Sequence, residues 1–121
     1  MAQQVKGVDA NTIGGMIDRL HMDLGVPRAD ILASLHLREK DIARWHATGT
    51  NPSAATVGRL QILVALRDGL QEMFAGPEGV YEWMHAELRD LQWRTPQQAL
   101  CEGDVDGVYA AFEGLASGIY L

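Results

Sequence analysis

The side chains that could carry chemistry are few and scattered. Four histidines (His21, His36, His46 and His85) and one cysteine, Cys101, are the candidates for metal binding or nucleophilic work. Zinc ligands recur in pairs about two to five residues apart, and none of these intervals fits. His36 and His46 read as surface residues beside a helix. Cys101 lacks a Cys-x-x-Cys partner and reads as a small buried residue. Gly7, Gly14 and Gly15 follow no strand pattern, so they do not form a phosphate-cradling loop. Acidic residues crowd the second half, but no pair is singled out for general acid/base work. No catalytic residue, no metal and no cofactor is expected, and an enzyme is the least favoured class.

The elements that must position any site are helices. Sustained period-two alternation is absent, and apolar residues recur at three- and four-residue intervals. Ile13, Met16, Ile17, Leu20 and Leu24 predict a first helix over 12–24, stopped by Gly25. Pro27 opens a short helix through Ile31, Leu32 and Leu35. A third begins near Arg38, carries Ile42 and Trp45 inward and ends at Gly49. After the turn Thr50-Asn51-Pro52-Ser53, a long helix runs to Phe74. Its apolar residues cover more than one face, which places it between two layers or two subunits. Gly76-Pro77 marks a break. A fifth helix is expected over 79–88 around Val80, Trp83 and Met84. Thr95-Pro96-Gln97-Gln98 has the form of a capping box with proline at the first helical position. Asp104 caps a last helix carrying Val105, Val108, Phe112 and Leu115, ending near Gly118.

Composition bounds the rest. The 121 residues, 47% hydrophobic and 21% charged, suit one ordinary folded domain. The longest apolar run, Ile62 to Leu66, is far short of the about 20 residues that span a bilayer. Residues 1–11 carry no apolar signal stretch. With one cysteine there is no internal disulfide, so a cytoplasmic protein is expected. The net charge of −6 is unevenly spread. Residues 1–67 sum to +2 and residues 68–121 to −8, and no acidic residue lies between Ile42 and Arg67. One end suits an anion and the other a cationic partner.

The second and third helices, joined at His36 and Leu37, have helix-turn-helix spacing. In that motif the N-terminal part of the second helix meets base edges in the major groove. Its exposed positions would be Arg38, Glu39, Lys40, Asp41, Arg44, His46 and Thr48. Arg38, Lys40 and Arg44 are the candidate DNA-binding residues. Glu39 and Asp41 weaken the field, so one copy should bind weakly. On periodicity alone, a plain three-helix bundle with a solvated charged face stands level with this reading.

Thr12-Ile13-x-x-x-Ile17-x-Arg19-Leu20, Ile31-Leu32 and Ile42-Ala43-Arg44-Trp45 resemble the N-terminal Xre-type domain of the MbcA/ParS/Xre antitoxins. Trp83, Thr95-Pro96-x-x-Ala99-Leu100-x-x-Gly103-Asp104, Val108 and the closing Gly118-Ile119 resemble the rest of that pattern. The similarity spans about residues 12–121. One departure stands out: that family has an Asn-containing turn and a glycine before the Thr-Pro. Ala86 to Arg94 have neither, and Trp93 stands near the glycine position.

The resemblance implies an all-α chain with a flexible N-terminus (1–11), an Xre-like helix-turn-helix and dimerisation domain (12–75) and a small helical toxin-binding domain (76–121). It implies a type II antitoxin. The partner is a cognate RES-domain toxin that consumes NAD+ or transfers ADP-ribose from it. Trp83, Arg94, Thr95, Gly118, Ile119, Tyr120 and Leu121 are the toxin-binding candidates, with the last residues reaching the NAD+ pocket. A homodimer, a larger assembly with toxin, and operator DNA bound by that assembly are the expected partners; no membrane is. A −8 segment complements a cationic toxin pocket. The alternative is a stand-alone helix-turn-helix regulator.

Overall fold

The computed structural model describes residues 10–118. Among them are seven α-helices, one 310 turn and no strand, an all-α fold. The helices are α1 (Ala10–Leu24), α2 (Arg28–Ser34), α3 (Glu39–Thr48), α4 (Ala54–Met73), α5 (Pro77–Met84), α6 (Pro96–Cys101) and α7 (Val105–Ala116). The 310 turn, Arg89–Leu91, lies between α5 and α6.

Helix starts follow the local chemistry. Ser53 caps α4 by accepting from the Thr56 amide at 3.2 Å. Thr95 and Gln98 form the expected capping box on α6, with bonds of 3.0 and 2.9 Å. Asp104 accepts from the Gly107 amide at 3.0 Å and opens α7. Two boundaries differ from expectation. Pro27 is extended (ψ 147°) and precedes α2 rather than lying in its first turn. The fifth helix begins at Pro77, its N1 residue, and ends at Met84, not near Leu88. Its periodic stripe is only Val80, Trp83 and Met84, and beyond His85 the chain is recruited into a closed loop.

The core is one cluster. Ile13, Ile17, Leu20 and Leu24 of α1 meet Leu60, Leu63, Leu66 and Leu70 of α4, and the cluster continues through Trp83, Leu91, Leu100, Val108 and Phe112. Helix α1 packs on α2, α3, α4 and α5, while α2 packs on α6 and α4 on α7. The apolar interior is therefore continuous across residues 75 and 76, the boundary expected between two domains. Burial of this kind is worth about 25 cal/mol per Å2 of apolar surface. Polar ties join the same elements. Arg28 pairs with Asp18 and, at 2.8 Å, with Glu39. The Gln97 side chain donates to Asp30 at 2.9 Å.

Helix α4 spends its Val57, Leu60, Leu63, Leu66 and Leu70 face on the chain's own core. Ile62 and Val64 are half-buried, and Ala54, Ala55 and Ala65 face outward. Cys101 is exposed rather than buried, because α6 turns Pro96, Ala99 and Leu100 inward and the next position falls outside. Asp30 raises the Cys101 thiol pKa above its ordinary value, with a smaller contribution from burial.

Candidate functional site

Two surfaces collect the candidate residues. The first is the N-terminal half of α3. The Arg38 amide donates to Asp41 Oδ2 at 2.8 Å, so an N3 carboxylate closes the helix start. The structure buries Asp41, which sequence reasoning placed among exposed positions. Its carboxylate meets Arg44 Nη2 at 3.2 Å and Arg38 Nε at 3.7 Å. The Arg38 amide, then the two guanidiniums and Lys40, hold the Asp41 pKa below the usual carboxylate range. The arginine side chains stay 69% and 59% exposed. Asp41 therefore orients Arg38 and Arg44 while leaving their outer N–H groups open to water. Lys40, Ala43 and Ala47 are exposed along with Arg44. Small side chains between cations let a helix approach a flat or grooved surface.

The second surface is built by α5, the loop after it and the end of α7. Trp83 is 8% exposed, with its ring edge-on to Phe112 at 6.5 Å. It floors an apolar groove of about 380 Å3 walled by Leu88, Ala111 and Leu115, with Glu87, Arg89 and Asp90 at the rim. Gly118, at φ 74°, donates to the Leu115 carbonyl and turns the chain at the end of α7. Ile119, Tyr120 and Leu121 lie outside the described residues. A larger cleft, about 490 Å3, opens around Met22, Gly25, Pro77 and Tyr81. It is separate from the Trp83 groove: Tyr81 and Trp83 are two residues apart on α5 and point to different sides.

Arg94 and Thr95 have structural duties here. Arg94 donates to the Leu91 carbonyl at 2.9 Å, to Glu102 at 2.6 Å and to Asp104 at 3.0 Å. The Glu102 and Asp104 bonds raise its pKa above the ordinary guanidinium value. Thr95 is occupied as the α6 cap. These contacts make the loop rigid. The Trp93 amide donates to the Leu88 carbonyl at 2.8 Å, and the Leu88 amide to the Arg94 carbonyl at 3.1 Å.

That closure forces Gln92 and Trp93 to φ 55° and 65°. Left-handed backbone costs about 1–2 kcal/mol for a residue with a Cβ. Trp93 is also 62% exposed, whereas Trp45 and Trp83 are buried. The family resemblance points to Arg94 and Thr95 and singles out Trp93 only as the occupant of a glycine position. A large residue in a position that suits glycine was the available signal. Among the described residues, no group of three His, Cys, Asp or Glu is arranged to hold a metal. Nor is any helix long and apolar enough to cross a membrane.

No family model matches the chain. It is 26% identical over 112 residues to the mycobacterial cidal antitoxin MbcA of Mycobacterium tuberculosis, covering 93% of this chain and 95% of the relative. MbcA of Mycobacterium bovis matches to the same extent. A probable mycobacterial cidal antitoxin of Mycobacterium tuberculosis is 26% identical over 99 residues, 80% of this chain and 82% of the relative. The fold is similar to a chain in the crystal structure of the Mycobacterium tuberculosis MbcT–MbcA toxin–antitoxin complex. That match has a TM-score of 0.57 and 22% identity, and covers 90% of this chain and 97% of the other.

Proposed function

We propose that this chain, which has the sequence pattern and the fold of an MbcA-type antitoxin, neutralises a cognate toxin by covering its active site. The observation that carries this is the sequence similarity to MbcA over 93% of the chain, with a fold similar over 90% of it to a chain of the MbcT–MbcA complex. The toxin is of the RES-domain class and consumes NAD+ or transfers ADP-ribose from it. Residues 76–121 form the contacting segment, and Gly118 to Leu121 reach toward the NAD+ pocket. An aromatic ring there can occupy a nicotinamide or adenine slot, and its flanking aliphatic residues fill the apolar margin. The α3 face, through Arg38, Lys40 and Arg44, contacts operator DNA once dimerisation and toxin binding multiply weak half-sites.

A stand-alone DNA-binding regulator is the second reading, favoured by the exposed α3 cations and the acid-free stretch between Ile42 and Arg67. One experiment separates the two. The product of the reading frame next to this chain's own is purified, its NAD+ turnover measured, and the chain titrated in. Stoichiometric silencing supports the antitoxin reading. Deleting Ile119 to Leu121 should then restore turnover while much of the binding remains. Full turnover in the presence of excess intact chain, with operator binding by the chain alone, would replace it with the regulator.

A further inference from the structure

The geometry points to Trp93 as the anchor side chain that this chain inserts into an apolar pocket of its toxin, beside a cationic toxin residue. This rests on the antitoxin reading and adds to it a residue outside the chain's last segment. Trp93 combines three properties that seldom coincide. Its ring is mostly in water. Its backbone is in a left-handed conformation that a bulky residue rarely adopts. And its backbone is fixed, because the amide is bonded to the Leu88 carbonyl while Arg94, the next residue, is tied to Leu91, Glu102 and Asp104. Strain that the surrounding structure over-determines, at an exposed aromatic residue, is characteristic of functional surfaces.

A mounted ring loses little backbone freedom on binding, and tryptophan is the side chain most enriched among interface anchors. The loop's Leu88 also walls the Trp83 groove, and the groove's Leu115 accepts the Gly118 amide at the end of α7. Trp93 and the C-terminal end of α7 thus belong to one end of the molecule. The partner's chemistry follows from charge. Residues 68–121 sum to −8, and Arg94, one of only two cations there, is neutralised by Glu102 and Asp104. A toxin surface facing this segment must be cationic. An arginine or lysine over the indole face adds a cation–π contact to the apolar burial.

The test uses the full chain and the same purified candidate toxin. Trp93→Ala keeps a Cβ and the backbone strain; Trp93→Gly removes both. Both variants should melt no lower than the parent, and both should bind the toxin about 30-fold or more weakly. Trp93→Phe should lose only part of that. In the parent, acrylamide should quench the exposed indole in the free chain and fail to do so in the complex. Equal affinity of the Trp93→Ala variant and the parent, or undiminished quenching in the complex, would overturn the assignment and leave the antitoxin reading standing. If the intact chain does not bind the toxin at all, the antitoxin reading falls and this inference with it. Protection of the indole by self-association without toxin would also overturn it, in favour of a contact between copies.

Discussion

The ring of Phe112 lies against the backbone of Gly69. A Cβ built on Gly69 would fall 2.7 Å from Phe112 Cε2 and closer still to Cζ. This contact joins α4 to α7, so it seals the segment before Gly76 to the segment after it.

Replacing Gly69 with alanine therefore sets two effects against each other. Helix propensity gains about 1 kcal/mol. Overpacking costs about 1–3 kcal/mol, and the Phe112 ring, buried against Trp83, cannot swing away. The expected outcome is a net loss of up to about 2 kcal/mol, read from the midpoint of urea unfolding. An unchanged or raised midpoint would mean that the seam is looser than this packing.

Gly103 looks similar but should behave differently. Its Cβ would lie 2.8 Å from His36 Nε2, and its φ is 86°. His36 is exposed, and its imidazole tip can rotate into water. The backbone term then decides, at about 1–2 kcal/mol for Gly103→Ala. Removing the imidazole in a His36→Ala, Gly103→Ala double variant should restore little of it. Full rescue would show that the side-chain contact, not the dihedral, sets the cost.

What the sequence made legible were features with local causes. The Thr95–Gln98 capping box, the Asp104 cap and the Ser53 start each depend on residues within one turn, and each is present. Apolar periodicity found the core stripes of α1 and α4. What it missed depends on distant neighbours. The end of α5 at Met84 reflects a loop closed between Leu88 and Arg94. Arg94 became a clamp through Glu102 and Asp104, eight and ten residues on. Asp41 is the exception: its partners, Arg38 and Arg44, are only three residues away, and an acidic residue at N3 was a local signal of the capping bond that turns it inward. The Arg94 clamp also holds Trp93 in its left-handed backbone conformation.

Acid should loosen the start of α3 in a defined direction. The folded Asp41 carboxyl titrates below its ordinary value, because the Arg38 amide and nearby guanidiniums favour the charged form. A depressed folded pKa stabilises the fold above the unfolded value, about 3.9, and that contribution is lost as pH falls through the folded pKa. Asp41→Asn should accordingly melt below the parent at pH 7. The two melting temperatures should converge as pH is lowered below about 4. A gap that stays constant across this range would mean the carboxylate's charge contributes nothing.

The same carboxylate bears on DNA recognition. Arg38 and Arg44 lean on Asp41, at 3.7 and 3.2 Å, yet remain largely exposed. Each can swing outward to a base edge or phosphate, whereas Lys40, on the exposed side of α3, suits a phosphate. Losing an arginine that reads guanine costs about 1–3 kcal/mol and relaxes specificity at one position. Losing a phosphate contact weakens all sequences alike and lowers the salt slope by about 1. For the toxin-bound assembly on its own promoter fragment, Arg38→Ala and Arg44→Ala should each narrow the gap between operator and scrambled DNA. Lys40→Ala should weaken both DNAs equally and flatten the salt dependence. Helix α3 alone is too lightly charged, because Asp41 draws on both arginines. The free chain should thus bind far more weakly than the assembly. An Arg38→Ala, Arg44→Ala double variant that keeps full operator affinity in the assembly would remove α3 from the groove and leave DNA binding to another face.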